Sequence, residues 1–286
     1  MTRFLTLRTH DVGGSVQYPQ AVDVDPAVTP YGYVPVAADD VRAWVSGKEV
    51  VLAIHGFNVP RPHAVPSLAA LETELALPAN YRYFGVLWPG DFWIPAVNYP
   101  FEAAHAVTAG RKLATFAHDH FALANSISFV SHSLGGRVLL EAVQTLDRKA
   151  REVCITAGAV DDDCFVKQYL KAEDNAGRTS VLSSMKDKVL QLAYPAGDFI
   201  SDVFLGDDDS PWRPALGRAG PPPPVAAPLV EQPIPEDAGA DGKGYDHGDY
   251  FPPSVMPKPM PKDPKWRHTA GYMSRALTGV LKNHWA

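Results

Sequence analysis

Along this 286-residue chain, the residues whose types and spacing could do chemistry centre on Ser131-His132-Ser133-Leu134-Gly135-Gly136. They close an apolar run at 127–130 and open a stretch at 137–147 in which Val138, Leu139, Ala142, Val143 and Leu146 share one helical face. A serine at the point of a tight strand-to-helix turn, flanked by small residues, holds its hydroxyl above the sheet as a nucleophile. Ser131 stands where such a turn usually has glycine. The competing meaning is an ordinary turn with Ser133 as the helix N-cap. A nucleophilic serine also needs its developing oxyanion stabilised, by the N–H that follows it and by a second at the end of an earlier strand. Residues 50–54 run into His55-Gly56-Phe57-Asn58, so the expected donors are the N–H groups of Leu134 and Phe57. His55 itself is read as a histidine that hydrogen-bonds the loop and takes no part in proton transfer.

Where a serine sits on such a turn, an acid and then a histidine ordinarily follow it along the chain. His247, His268 and His284 are the histidines late enough to serve. His268 lies in an expected helix and His284 two residues from the end, which leaves His247, within the glycine-flanked segment Gly244-Tyr245-Asp246-His247-Gly248-Asp249. Its other meaning is a solvated loop histidine. For the acid, Asp187 follows the last expected strand and ranks first. Asp161, Asp162 and Asp163 are the alternative, although a run of three aspartates usually marks a solvated turn or a helix start, and Asp198 lies further on.

The elements that must position these groups are legible as alternation. Continuous apolar runs at 50–54, 81–88, 127–130, 153–157 and 179–182 suit strands buried on both faces, and helix-compatible segments at 66–77, 101–121 and 137–147 lie between them. Strand–helix alternation implies a mostly parallel sheet with helices on both faces and chemistry at the carboxyl ends of the strands. Residues 3–8 and 31–36 are candidate edge strands, and 266–282 a closing amphipathic helix. With 26 basic against 32 acidic residues, no basic face for nucleic acid or an anionic membrane is implied. No apolar run approaches the roughly 18 residues of a membrane helix. Two cysteines and a start without a secretory core make a soluble cytoplasmic protein the expectation.

Taken together, four pieces resemble the α/β-hydrolase superfamily, and in particular its compact bacterial esterase-like branch of unassigned substrate. They are the strand into His55-Gly56-Phe57-Asn58, the Leu87-Trp88-Pro89 strand end, the turn around Ser133, and Ser183-Ser184 leading to Asp187. The segment 247–251 is similar to the family's C-terminal histidine segment, and the likeness spans roughly residues 48–252. It implies hydrolysis of a small-molecule carboxylic ester through an acyl-enzyme. Ser133 attacks, His247 takes its proton, Asp187 orients the imidazole, and no metal or organic cofactor is required. His118-Asp119-His120 is not read as a metal site, because its two histidines point to different helix faces. Trp88, Trp93 and Tyr99, with Phe92 and Phe101, crowd the segment after the second strand. They are candidate substrate-pocket walls, with packing of a loop onto the core as the alternative.

Two other classes compete with the enzyme. One is a non-catalytic hydrolase-fold protein that binds a ligand in the same cleft. The other is a docking arm built on the polyproline run 221–224. Of the 27 prolines, 15 lie between Pro211 and Pro264, which by composition suggests a linker or tail. If His247 is the base, residues 211–264 must instead be a Pro-rich insertion inside a single 1–286 domain, leaving Asp187 and returning to Ser133.

Overall fold

The computed structural model describes residues 1–91, 99–192, 213–222, 229–231 and 244–280. Its centre is a mixed sheet, mostly parallel, with nine strands among the described residues. In chain order they are β1 (Thr2–Thr6), β2 (Gln20–Val24), β3 (Val34–Pro35), β4 (Glu49–Ile54), β5 (Tyr81–Leu87), β6 (Ser126–His132), β7 (Val153–Thr156), β8 (Thr179–Leu182) and β9 (Leu229–Glu231). Across the sheet the order is β3-β2-β1-β5-β4-β6-β7-β8-β9, antiparallel from β3 to β1 and parallel from there on. The helices are α1 (Ala38–Val45), α2 (Arg61–Leu75), α3 (Tyr99–His120), α4 (Gly135–Thr145), α5 (Leu170–Asp174), α6 (Lys188–Leu192), α7 (Leu216–Ala219) and α8 (Lys265–Thr278).

Side-chain alternation along β5 shows how the layers form. Tyr83 points to one face, where its hydroxyl donates to Leu68 O of α2 at 2.8 Å. Phe84 points to the other, meeting Trp44 of α1 at 5.1 Å and Phe121, just past α3, at 5.3 Å between ring centroids. A strand with helices on both faces has no polar side, which is why β4 reads as Val50-Val51-Leu52-Ala53-Ile54, all at 0% exposure. α3 packs along α4, and α2 along α8. No helix among the described residues is long and apolar enough to cross a membrane.

Differences from the sequence expectations at the sheet edge and at the closing helix have simple physical causes. β2 carries no expected strand, and β3 occupies only two residues of the expected 31–36. Both lie at the antiparallel edge, where pairing rather than apolar content sets the strand. The expected strand at 3–8 is β1, ending at Thr6. α8 ends at Thr278 with Gly279 in the left-handed conformation that stops a helix; Lys282 lies outside the described residues.

The Pro-rich stretch is described at 213–222, 229–231 and 244–264. Its first part is fastened to the carboxyl end of β7: Leu216 N donates to Val160 O at 2.8 Å and Gly217 N to Gly158 O at 2.9 Å. At Gly217 the approach is so close that a Cβ would lie 2.1 Å from the carbonyl carbon of Ala157 and from Gly158 N. β9 then pairs in parallel with β8. Replacing Gly217 by alanine must push the segment off β7. Gly217→Ala is expected to lower the unfolding free energy by about 1–3 kcal/mol in urea denaturation. Gly32→Ala, where a Cβ meets nothing within 4 Å, is the neutral comparison.

Candidate active site

Parallel register brings the strand ends to one edge. Ile54 of β4 lies opposite Ser131 of β6, and His132 opposite Thr156 of β7. Just beyond these ends three non-glycine residues adopt positive φ: Asn58 at 55°, Ser133 at 56° and Ala157 at 46°. Left-handed conformations of this kind cost free energy, and the surrounding bonds hold Ser133 in one. Its N–H donates to Thr156 O at 2.9 Å, and its carbonyl accepts from Gly136 N at 2.9 Å and Ala159 N at 3.2 Å. α4 starts two residues later. Gly135 is required there, because a Cβ would sit 2.5 Å from His55 O. Ser131 is fully buried, and its carbonyl accepts the Thr156 hydroxyl at 2.8 Å.

The hydroxyl of Ser133 lies 2.9 Å from His247 Nε2, and His247 Nδ1 lies 2.8 Å from Asp187 Oδ2. With Nδ1–H donating to the carboxylate, Nε2 is left as the acceptor for the serine hydroxyl. The Asp187 side chain has 0% exposure and that of His247 16%. The other oxygen of Asp187, Oδ1, accepts from Leu190 N at 2.9 Å and so caps the start of α6. His247 opens a short 3-10 turn, His247–Asp249. There the Asp246 carboxylate accepts from His247 N, and that of Asp249 accepts from Asp246 N at 2.8 Å. Ser184 joins the two loops, its hydroxyl donating to Tyr245 O at 2.8 Å while its N–H donates to Gly217 O at 3.0 Å.

The Asp161–Asp163 cluster has a different role. Arg213 reaches Asp162 at 3.2 Å and Asp163 at 2.8 Å, and Lys167 reaches Asp163 at 3.2 Å. Asp161 accepts from the Gln168 amide at 3.2 Å. Asp161 and Asp163 are each 4% exposed, so the expected solvated turn is instead a buried clamp on the start of the Pro-rich stretch. Asp198 and His284 lie outside the described residues. His268, in α8, pairs with Asp263 at 2.9 Å.

The loop after β4 rests on the end of β5. Asn58 N donates to Gly90 O at 2.6 Å. Arg8, its side chain wholly buried, pairs with Asp91 at 2.6 Å and donates to Trp88 O at 3.1 Å. Trp88 corrects a sequence expectation. It has 0% exposure, its indole N–H donates to His55 O at 2.9 Å, and its ring stacks on that of His55 at 5.7 Å. It supports the loop from beneath and offers no surface to a ligand. Trp93 and Phe92, with the side chains of Tyr99 and Phe101, lie outside the described residues. Leu134 N, the first expected donor, has no backbone acceptor among the described residues, and Phe57 follows Gly56 in the supported loop.

His55 hydrogen-bonds its own loop, as expected from the sequence, and His132 bears on the site in a way that residue type and spacing do not reveal. His55 Nδ1 bonds Gly56 O at 2.8 Å, and His132 Nε2 bonds the carbonyl of His247 at 2.7 Å. Elsewhere His118 pairs with Asp147, His120 meets Arg42, and Asp119 accepts from Tyr18. Among the described residues no group of three or more His, Cys, Asp or Glu is placed to hold a metal ion.

Burial pushes His55 and His132 down to about 3, against 6.5 in the unfolded chain. Between pH 6.5 and 3 the unfolded chain therefore binds more protons at these two positions, and stability falls as pH drops through that window. Buried Glu152, raised to about 7 from 4.5, works in the opposite direction above pH 4.5. The steepest loss is expected below about pH 4.5. In a His55→Phe variant the slope of unfolding free energy against pH should be shallower by about one proton, near 1.4 kcal/mol per pH unit. An unchanged slope in urea titrations would mean that His55 already carries a proton in the fold.

Residues 38–200, more than half of the chain, match the family model described as "Alpha/beta hydrolase of unknown function (DUF900)". No curated protein matches the sequence. Among solved structures, an inhibited esterase B from Lactobacillus rhamnosis is similar over 92% of this chain and 82% of its own. It shares 10% identity, with a TM-score of 0.43. Carboxyl esterase 2 from the mycorrhizal fungus Tuber melanosporum is similar over 96% of this chain and 92% of its own, at 14% identity and a TM-score of 0.43.

Proposed function

The chain belongs to this family of α/β hydrolases of unknown function, and from that premise we propose that it is a serine hydrolase cleaving carboxylic esters through an acyl-enzyme. The observation that carries the reading is the continuous hydrogen-bonded path from Asp187 through His247 to Ser133, with Ser133 at positive φ at the head of α4. The match to the family model, ending at residue 200, includes Ser133 and Asp187 but not His247, so the path itself is what recruits the histidine.

In this mechanism the Ser133 oxygen attacks the ester carbonyl as His247 Nε2 takes its proton. Asp187 keeps the imidazole proton on Nδ1 and stabilises the cation that forms. The N–H groups of Leu134 and Phe57, with the amino end of α4 behind them, receive the negative charge that grows on the carbonyl oxygen. His247 then returns its proton to the leaving alkoxide. Water, deprotonated by the same nitrogen, attacks the acyl-serine ester, and the second collapse releases the acid and restores the hydroxyl. Every group is a side chain or backbone amide of this chain. Its two cysteines, free and buried, suit a reducing cytoplasm.

A fluorophosphonate probe is expected to label the protein once per chain, and Ser133→Ala to abolish labelling; full labelling of that variant would remove Ser133 from its role. With p-nitrophenyl esters of graded acyl length, Asp187→Asn should lower kcat about 10⁴-fold, because the amide favours the wrong imidazole tautomer. Asp162→Asn, which loosens the Arg213 contact, should cost far less. The reverse order would shift the acid to the end of β7.

A further inference from the structure

His132 is the last residue of β6 and the immediate neighbour of Ser133. Its Nε2 lies 2.7 Å from the backbone carbonyl of His247. A carbonyl can only accept, so Nε2 carries the ring proton and Nδ1 does not. The imidazole packs 4.8 Å from that of His247, 5.5 Å from Phe251 and 6.3 Å from Tyr250, between ring centroids. Burial and the neighbouring His247 both disfavour a charge on it, so the ring stays a neutral donor in the working pH range. A second cation beside His247 would oppose the imidazolium that forms during acylation.

The connection it serves is long. Sixty residues separate Asp187 from His247 along the chain. The Asp187 carboxylate steers only the imidazole ring, through Nδ1; the His247 backbone needs a hold of its own. Resting on the hydrolase reading above, the geometry points to His132 as a positioning residue that pins the backbone of the base to the strand carrying the nucleophile. Nucleophile and base are then held by consecutive residues of β6 and the turn. Ser133 supplies the hydroxyl, and His132 sets where the nitrogen that receives its proton stands.

His132→Phe keeps a ring and removes the donor. In ester hydrolysis kcat is expected to fall about 10–100-fold, the range for a reacting group displaced by about 1 Å, with KM changed no more than about twofold. His132→Gln, whose amide N–H reaches the same carbonyl, is expected to recover most of that loss. A His132→Phe protein with the wild-type kcat overturns the proposal, as does a folded His132→Gln protein no faster than folded His132→Phe. Should the variants fail to fold, nitrogen-15 histidine NMR on the wild type decides: a neutral His132 with its proton on Nε2 from pH 5 to 8 supports the assignment, and a proton on Nδ1 or a charged ring overturns it. A wild type that neither hydrolyses esters nor takes up fluorophosphonate refutes the hydrolase reading alone, and the tautomer measurement still tests the bond between His132 and His247.

Discussion

The Asp187 carboxylate has no exposed surface, and a buried carboxylate is tolerated only where donors replace the water it has lost. Two donors come from different directions. Leu190 N supplies one from the first turn of α6, and His247 Nδ1 supplies the other from the far side of the Pro-rich stretch. Without the histidine, one oxygen of a fully buried charge would lose that donor. The closing of that excursion is therefore part of making the fold possible as well as part of assembling the site. The fastenings along the way fit this requirement: Gly217 pressed onto Gly158, Ser184 bridging to Tyr245, and Arg213 held by Asp162 and Asp163.

Strain and support are divided between different parts of the edge. The left-handed residues Asn58, Ser133 and Ala157 follow three adjacent strands, β4, β6 and β7. Each is flanked by backbone bonds to a neighbouring segment, so no single loop must hold its own unfavourable conformation. Behind them, the loop after β4 rests on Trp88 and on Arg8, whose charge is matched by Asp91 in the interior.

How much of this is legible in the sequence varies with the kind of signal. The central strands are, because a strand covered on both faces must be apolar throughout, as residues 50–54 are. The turn at Ser133 is legible because its small residues answer a steric demand, visible in the 2.5 Å approach of a Gly135 Cβ to His55 O. α1 is not: only Val41 and Val45 are buried, one turn apart, too little to establish a period. Trp88 misleads because an indole suits a pocket wall and a buried support equally well, and its 0% exposure depends on the loop after the neighbouring strand β4, 33 residues earlier in the chain. Asp162 and Asp163 look like a solvated turn until Arg213 and Lys167, their partners, are brought beside them. His132 is hidden by its position, since it reads as a component of the turn until the carbonyl of His247 comes within 2.7 Å.

The pairing of β9 with β8 has a colloidal consequence. β8, Thr179–Leu182, is a four-residue strand with every side chain buried, and left at the margin it would present unpaired amides and carbonyls to any extended segment nearby. The excursion covers that margin with three residues, too short to serve as an effective template in turn. At the opposite margin β3 is two residues long and ends in Pro35, which has no N–H to offer. Among the described residues the sheet thus ends on both sides in strands poorly suited to recruiting another chain.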